Sequence, residues 1–146
     1  MDVTVLRLNP GTDLKASLLA YCAERQIEAA CVLACVGSLE RAVIRFADAP
    51  HGTVLTQKLE ILTLSGTLSR HGAHLHITVA DAVGSVSGGH LLDGSLVYTT
   101  AELVLGLLPG VEFRRELDPA TGSNELTVRE VDIHLSSRDG TGPRLR

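Results

Sequence analysis

The sequence predicts an α/β fold of the α+β-like kind, in which many strands form a sheet packed with one or two helices. Three observations carry this. Residues 14–26 hold the one clear helical repeat, sandwiched between two strand-like runs. From residue 58 onward the apolar period is two, punctuated at short intervals by Gly, Pro, Asp and Asn. The length, 146 residues, suits one domain with a single core.

Residues 3–8 read as a short β-branched strand ended by Asn9-Pro10-Gly11. Thr12 can cap a helix, and Asp13 suits its positive end. Leu14, Leu18, Tyr21 and Cys22 then share one face as far as Gln26. Residues 29–36 form a continuous apolar run, expected as a strand buried on both faces. Strand, helix and strand in such close order imply a right-handed crossover within one sheet. Gly37-Ser38 is expected to interrupt the chain before alternation resumes over 40–46, with a loop at 48–52. Residues 58–69 are a strand in which Gly66 marks a bulge or a close backbone approach.

After a turn at 69–72, residues 73–80 alternate cleanly. Ala73, Leu75, Ile77 and Val79 make an apolar face, and His74, His76, Thr78 and Ala80 make the other. Asp81 belongs to the next turn. Residues 85–92 form a strand that Gly88-Gly89 is expected to break, and Asp93-Gly94 is a hairpin signal. Residues 96–107 carry β-branched flanks that favour strand over helix. Two further strands, 111–117 and 126–135, enclose a loop at 118–124. Residues 1–135 read as a single domain and 136–146 as a flexible tail.

Apolar residues make up 45% of the chain but aromatic ones only 3%, so the core is aliphatic. Such a core has less area per residue, and burial between subunits is an expected supplement. The net charge of −4 weighs against a stand-alone DNA-binding domain, which needs a basic footprint. Cys22, Cys31 and Cys35 are odd in number and lie among apolar residues, as expected of reduced thiols in a cytoplasmic protein. There is no apolar run long enough to span a membrane and no secretory pattern at the start.

The chemistry gathers between residues 60 and 102. Three of the six histidines, His74, His76 and His90, fall within 17 residues. His74 and His76 share the face that the core does not use, with Cα atoms roughly 6.5–7 Å apart. If the intervening turn makes a hairpin, His90 comes alongside them. Gly88 and Gly89 remove side chains where a ligand or another backbone would approach. Three imidazoles with an open fourth position can hold a divalent metal ion, zinc by default. Glu60 and Glu102 are the carboxylates available to complete the shell, orient a ligand or act as a base. The alternative is a polar pocket or subunit interface without metal. His51, His71 and His134 read as surface residues. Ser38, Ser65 and Ser87 lack the context of an activated nucleophile.

Glu60-Ile61-Leu62-Thr63-Leu64-Ser65-Gly66-Thr67, His74-Leu75-His76, Gly88-Gly89-His90-Leu91 and Val97-Tyr98-Thr99-Thr100-Ala101-Glu102 together resemble the PPC domain, a family shared by plants and prokaryotes. The resemblance implies a mostly antiparallel sheet packed against helix, a homotrimer, and a suspected metal site at His74, His76 and His90. It departs from the plant pattern in two ways. The sequence contains no Arg-Gly-Arg-Pro AT-hook, and the plant Gly-Arg-Phe-Glu-Ile-Leu is here Gln57-Lys58-Leu59-Glu60-Ile61-Leu62.

Three functions follow as expectations. The first is a trimeric metal- or small-ligand-binding module. The second is a metal-dependent hydrolase or lyase using Glu60 or Glu102 as base. The third is a DNA-associated or protein-interacting regulator, for which Arg41, Arg45, Arg138, Arg144 and Arg146 are the available phosphate contacts.

Overall fold

The computed structural model describes residues 1–131. His134, Arg138, Arg144, Arg146, the domain boundary at 135 and the expected tail lie outside the described residues.

Strand β1 (Asp2–Leu8) leads through Asn9-Pro10-Gly11 into helix α1 (Leu14–Glu24). The cap is Asp13 rather than Thr12. Asp13 accepts from the Ala16 N–H at 3.0 Å and, through its second oxygen, from the Gly94 N–H at 2.6 Å. One carboxylate thus stabilises the positive helix end and ties it to a distant turn, which a single hydroxyl cannot do. Thr12 instead donates to the Asn9 carbonyl. The helix buries Leu14, Leu18 and Cys22 completely against the sheet.

Next comes β2 (Ala30–Arg45), which runs antiparallel to β7 (Leu96–Leu107); β1 pairs antiparallel with the other side of β7. The first two strands are therefore parallel members of one sheet with β7 between them, as a crossover requires. Gly37-Ser38 does not interrupt β2. The strand passes through with register shifts at Val32/Ala34, Gly37/Leu39 and Leu39/Arg41, and these bulges bend it. Gly37 has φ of 144°, and a Cβ there would lie 2.1 Å from the Thr100 carbonyl oxygen, so only glycine fits. Nor is the apolar run buried on both faces: Leu33 is 47% exposed and Val36 58%.

The bend lets β2 serve two sets of neighbours. Its first part pairs with β4 (Leu59–Ser69), and its end pairs with β3 (Thr53–Leu55) and β6 (Val86–Leu91). Strand β5 (Gly72–Ala80) joins β4 to β6, so β2, β4, β5 and β6 close into a ring. The three-residue β3 lies beyond the expected loop and carries no sequence pattern of its own. Gly88-Gly89 does not break β6. A Cβ on Gly88 would come 2.9 Å from the Ile77 carbonyl oxygen and one on Gly89 2.6 Å from that of Arg45. The bare backbone is what lets β6 fit between β5 and β2.

The core is aliphatic, as the composition requires: Leu18, Leu39, Leu68, Leu75, Leu103 and Leu105 are fully buried. Strands β8 (Val111–Asp118) and β9 (Ser123–Glu130) form a separate two-stranded hairpin. It starts its return at Ser123, earlier than the expected 126, because Asp118 closes the turn by accepting from the Gly122 N–H at 2.8 Å. Among the described residues no helix is long and apolar enough to cross a membrane.

Candidate metal centre

The period of two on β5 decides where its histidines point. Leu75, Ile77 and Val79 face inward at 1% exposure or less, so His74 and His76 face outward. On β6, His90 is the direct cross-strand partner of His76. The three rings meet on the outer surface, with centroids 4.9 to 5.7 Å apart. One ligand atom from each lies within 4.8 Å of the others. Gly66 supports this from β4: a Cβ there would stand 1.9 Å from the His74 carbonyl oxygen, so glycine permits the close approach that seats His74.

The electrostatics disfavour protonation of His74 and His90. Burial lowers the His90 pKa to about 4, with help from His74, Arg45 and His76. Burial and then His76 also lower His74. A metal ligand needs the neutral imidazole. His90 Nδ1 is buried and meets no hydrogen-bond partner among the described residues. The Nε2 atoms of His74 and His76 stand 3.1 Å apart. Two nitrogens bound tetrahedrally to zinc at about 2.05 Å would be about 3.3 Å apart. The donor set, its spacing and the orphaned nitrogen all fit a divalent ion.

The carboxylates expected beside the histidines are not in this group. Glu60 pairs with Ala80, four residues along β5 from His76, or roughly 13 Å at strand rise. Glu102 lies on β7 opposite Arg7 and Val36, with β2 and β4 between it and β5. The side chains that do approach come from elsewhere. A cavity of about 360 Å³ is bounded by His74, His90, Arg45, Arg115, Asn124 and Glu125. Its far wall is the β8–β9 hairpin, whose place over β5 no local pattern announces. A single-sequence signal was present only for Arg45, one of two basic residues on an alternating strand.

His71 is not a free surface residue. Its ring lies 3.1 Å from Glu28 and 3.6 Å from Glu112, making a second cluster of possible ligands. Here the carboxylates already have cations: Arg70 meets Glu28 at 2.7 Å, and Arg114 bonds Glu112 and holds it below the usual carboxylate range. The cluster fastens the hairpin, since Ser69 Oγ donates to the Phe113 carbonyl at 2.9 Å and the Phe113 N–H donates to Glu28 O at 2.8 Å. The three cysteines are free; burial raises Cys22 and Cys35 to about 11, so both are inert packing groups.

Residues 1–109 match the model of the Plants and Prokaryotes Conserved (PCC) domain, also abbreviated PPC. The chain belongs to this family. Among curated proteins, the chain is 50% identical over 131 residues to a protein named bifunctional protein GlmU from Synechococcus sp. (strain JA-2-3B'a(2-13)); the match covers 90% of the chain but only 21% of that protein. Among solved structures, a hypothetical protein from Salmonella enterica is 38% identical with a TM-score of 0.86, covering 88% of this chain and 94% of that one. A metal-containing protein from Archaeoglobus fulgidus is 30% identical with a TM-score of 0.74, covering 87% and 94%. A candidate DNA-binding protein from Bacteroides thetaiotaomicron is 25% identical with a TM-score of 0.75, covering 86% and 91%.

Proposed function

We propose that this PCC domain is a homotrimeric module that binds a divalent metal ion, zinc by default, through His74, His76 and His90, and presents the ion to a small ligand. The observation that carries the metal reading is the buried Nδ1 of His90, unpartnered among the described residues, within a group of three converging imidazoles on a face the core does not use. The metal-containing relative from Archaeoglobus fulgidus supports it. Metal analysis of protein purified without chelator or histidine tag tests it. One ion per chain is expected in the wild type and none in His74→Ala/His76→Ala; equal content in the two would sink the reading.

Support for the trimer comes from the outer face of the sheet. Val3 and Val5 on β1, Leu33 and Val36 on β2 and Leu62 on β4 are all 47% exposed or more. Met1 and Leu33 crowd over Gly106 of β7, extending one apolar surface across neighbouring strands. Such a surface fits subunit burial. Light scattering should return three times the chain mass, and a stable monomer would refute the trimer.

A second reading is a metal-dependent hydrolase or lyase. A bound ion would supply Lewis acidity and a more acidic water. Glu125 favours this reading, because it lines the same cavity as His74 and His90. It replaces Glu60 and Glu102 as the candidate base. Turnover abolished in Glu125→Gln on a hydrolase and lyase panel is the expected sign, and a silent panel with metal-loaded wild type would oppose it. The name of the Bacteroides thetaiotaomicron relative keeps DNA association as a further reading; binding to duplex DNA that weakens as salt rises would support it.

A further inference from the structure

Three arginines of the hairpin and its docking turn have carboxylate partners: Arg70 with Glu28, Arg114 with Glu112 and Arg129 with Glu116. Arg115 and Arg45 differ. Among the described residues neither makes an ion pair, and both line the 360 Å³ cavity that His74 and His90 open into. Arg115 is placed there by its neighbours. Its stem passes over Gly72, where a Cβ would stand 3.1 Å from Arg115 Cγ. Its Nη2 donates to Thr67 Oγ1 at 2.8 Å, and Thr67 is the cross-strand partner of His74. Arg45 stands on the other flank as the cross-strand partner of His90. One acid shares the cavity, Glu125, and its Oε1 accepts from Thr121 on its own hairpin at 3.0 Å.

A guanidinium has five N–H donors in a planar fork. Arg115 spends one on Thr67, and Arg45 spends none among the described residues. Two underused forks therefore face a polar cavity from opposite sides, next to the position proposed for the ion. A phosphoryl group can satisfy such a fork with two oxygens and leave a third for a metal, and a carboxylate can do so with a second lone pair on one of its two oxygens.

We infer that the ligand of this site is a small oxyanion, carboxylate or phosphoryl, held between Arg45 and Arg115 with one oxygen directed to the ion on His74, His76 and His90. The inference rests on the metal reading and names its ligand class. It also gives Arg45 a role other than DNA backbone contact.

The test is titration calorimetry of the zinc-loaded full chain with malonate and, separately, methyl phosphate, with zinc content measured before and after. Wild type should bind at least one probe, and the stronger one identifies the source. Arg115→Ala and Arg45→Ala should each weaken binding about tenfold to a hundredfold, the effect of losing a charge-assisted hydrogen bond, while keeping the wild-type zinc content. Arg115→Lys should recover part of the loss. Zinc held but neither probe bound, or binding unchanged in both alanine variants, would overturn the oxyanion site and leave the metal reading standing. Failure of the wild type to hold zinc would remove the metal reading and this inference with it.

Discussion

Two histidine clusters sit on this PCC domain, and they differ in what their polar atoms already have. In the Glu28–His71–Glu112 cluster each carboxylate faces an arginine, and the backbone beside it is hydrogen-bonded into the hairpin dock. Among the described residues, the His74–His76–His90 cluster includes no carboxylate, burial and neighbouring cations favour the neutral form of His74 and His90, and one buried nitrogen has no partner. Proximity of ligand atoms alone therefore does not distinguish a joint from a binding site. The two clusters differ in whether those atoms already have partners, and a buried polar atom without one is costly unless something fills it.

The sharpest way to break the comparison is to remove one histidine from each cluster. His76→Ala should abolish metal uptake, while His71→Ala should keep the full ion content by elemental analysis. Equal losses would mean the clusters are not different in kind. Metal should also stabilise only through the His74–His76–His90 cluster. At a hundredfold excess over Kd, zinc should add about 2.7 kcal/mol to wild type and to His71→Ala, and nothing to His76→Ala, as read by denaturant unfolding.

Ser69→Ala tests the joint from the other side. Ser69 is 1% exposed, donates to the Phe113 carbonyl and accepts from the His71 N–H. Its loss should cost about 1–3 kcal/mol and speed hydrogen exchange in β8. Metal content should not change.

Acid sharpens the contrast in the metal-free protein. The folded pKa of His90, about 4, lies below the ordinary 6.5, so between these values the unfolded chain binds the extra proton. Stability from this group is intact above pH 6.5 and falls as pH drops toward 4, where the folded state also protonates. His74, shifted the same way, adds to the fall. A melting temperature flat across that window would contradict the lowered pKa of these two rings. The smallest effect is expected from Arg45→Ala. It should raise the His90 pKa only partly in an NMR titration, because burial and His74 rank ahead of Arg45 as causes.

Much of this was legible locally. The alternation over residues 73–80 put His74 and His76 on one outward face, because a strand's side chains have only two directions to take. Helix α1 and the Asp93-Gly94 turn were equally local. The expected close backbone approach at Gly88 and Gly89 is present, but neither they nor Gly37 break their strands, since a glycine that ends a strand and one that admits a neighbouring backbone look alike until the neighbour is known. Glu60 and Glu102 were singled out by motif, yet several residues of strand or two intervening strands separate them from the rings.

By itself, the sequence determined most of the elements, the aliphatic core and the outward pair on β5, since propensity and periodicity act between near neighbours. Only the tertiary structure decided that β6 closes onto β2, that His90 lands opposite His76, and that Arg45 and Arg115 reach one cavity from different strands. Those outcomes depend on register, bulges and hairpin docking, which are settled by contacts between residues far apart in the chain.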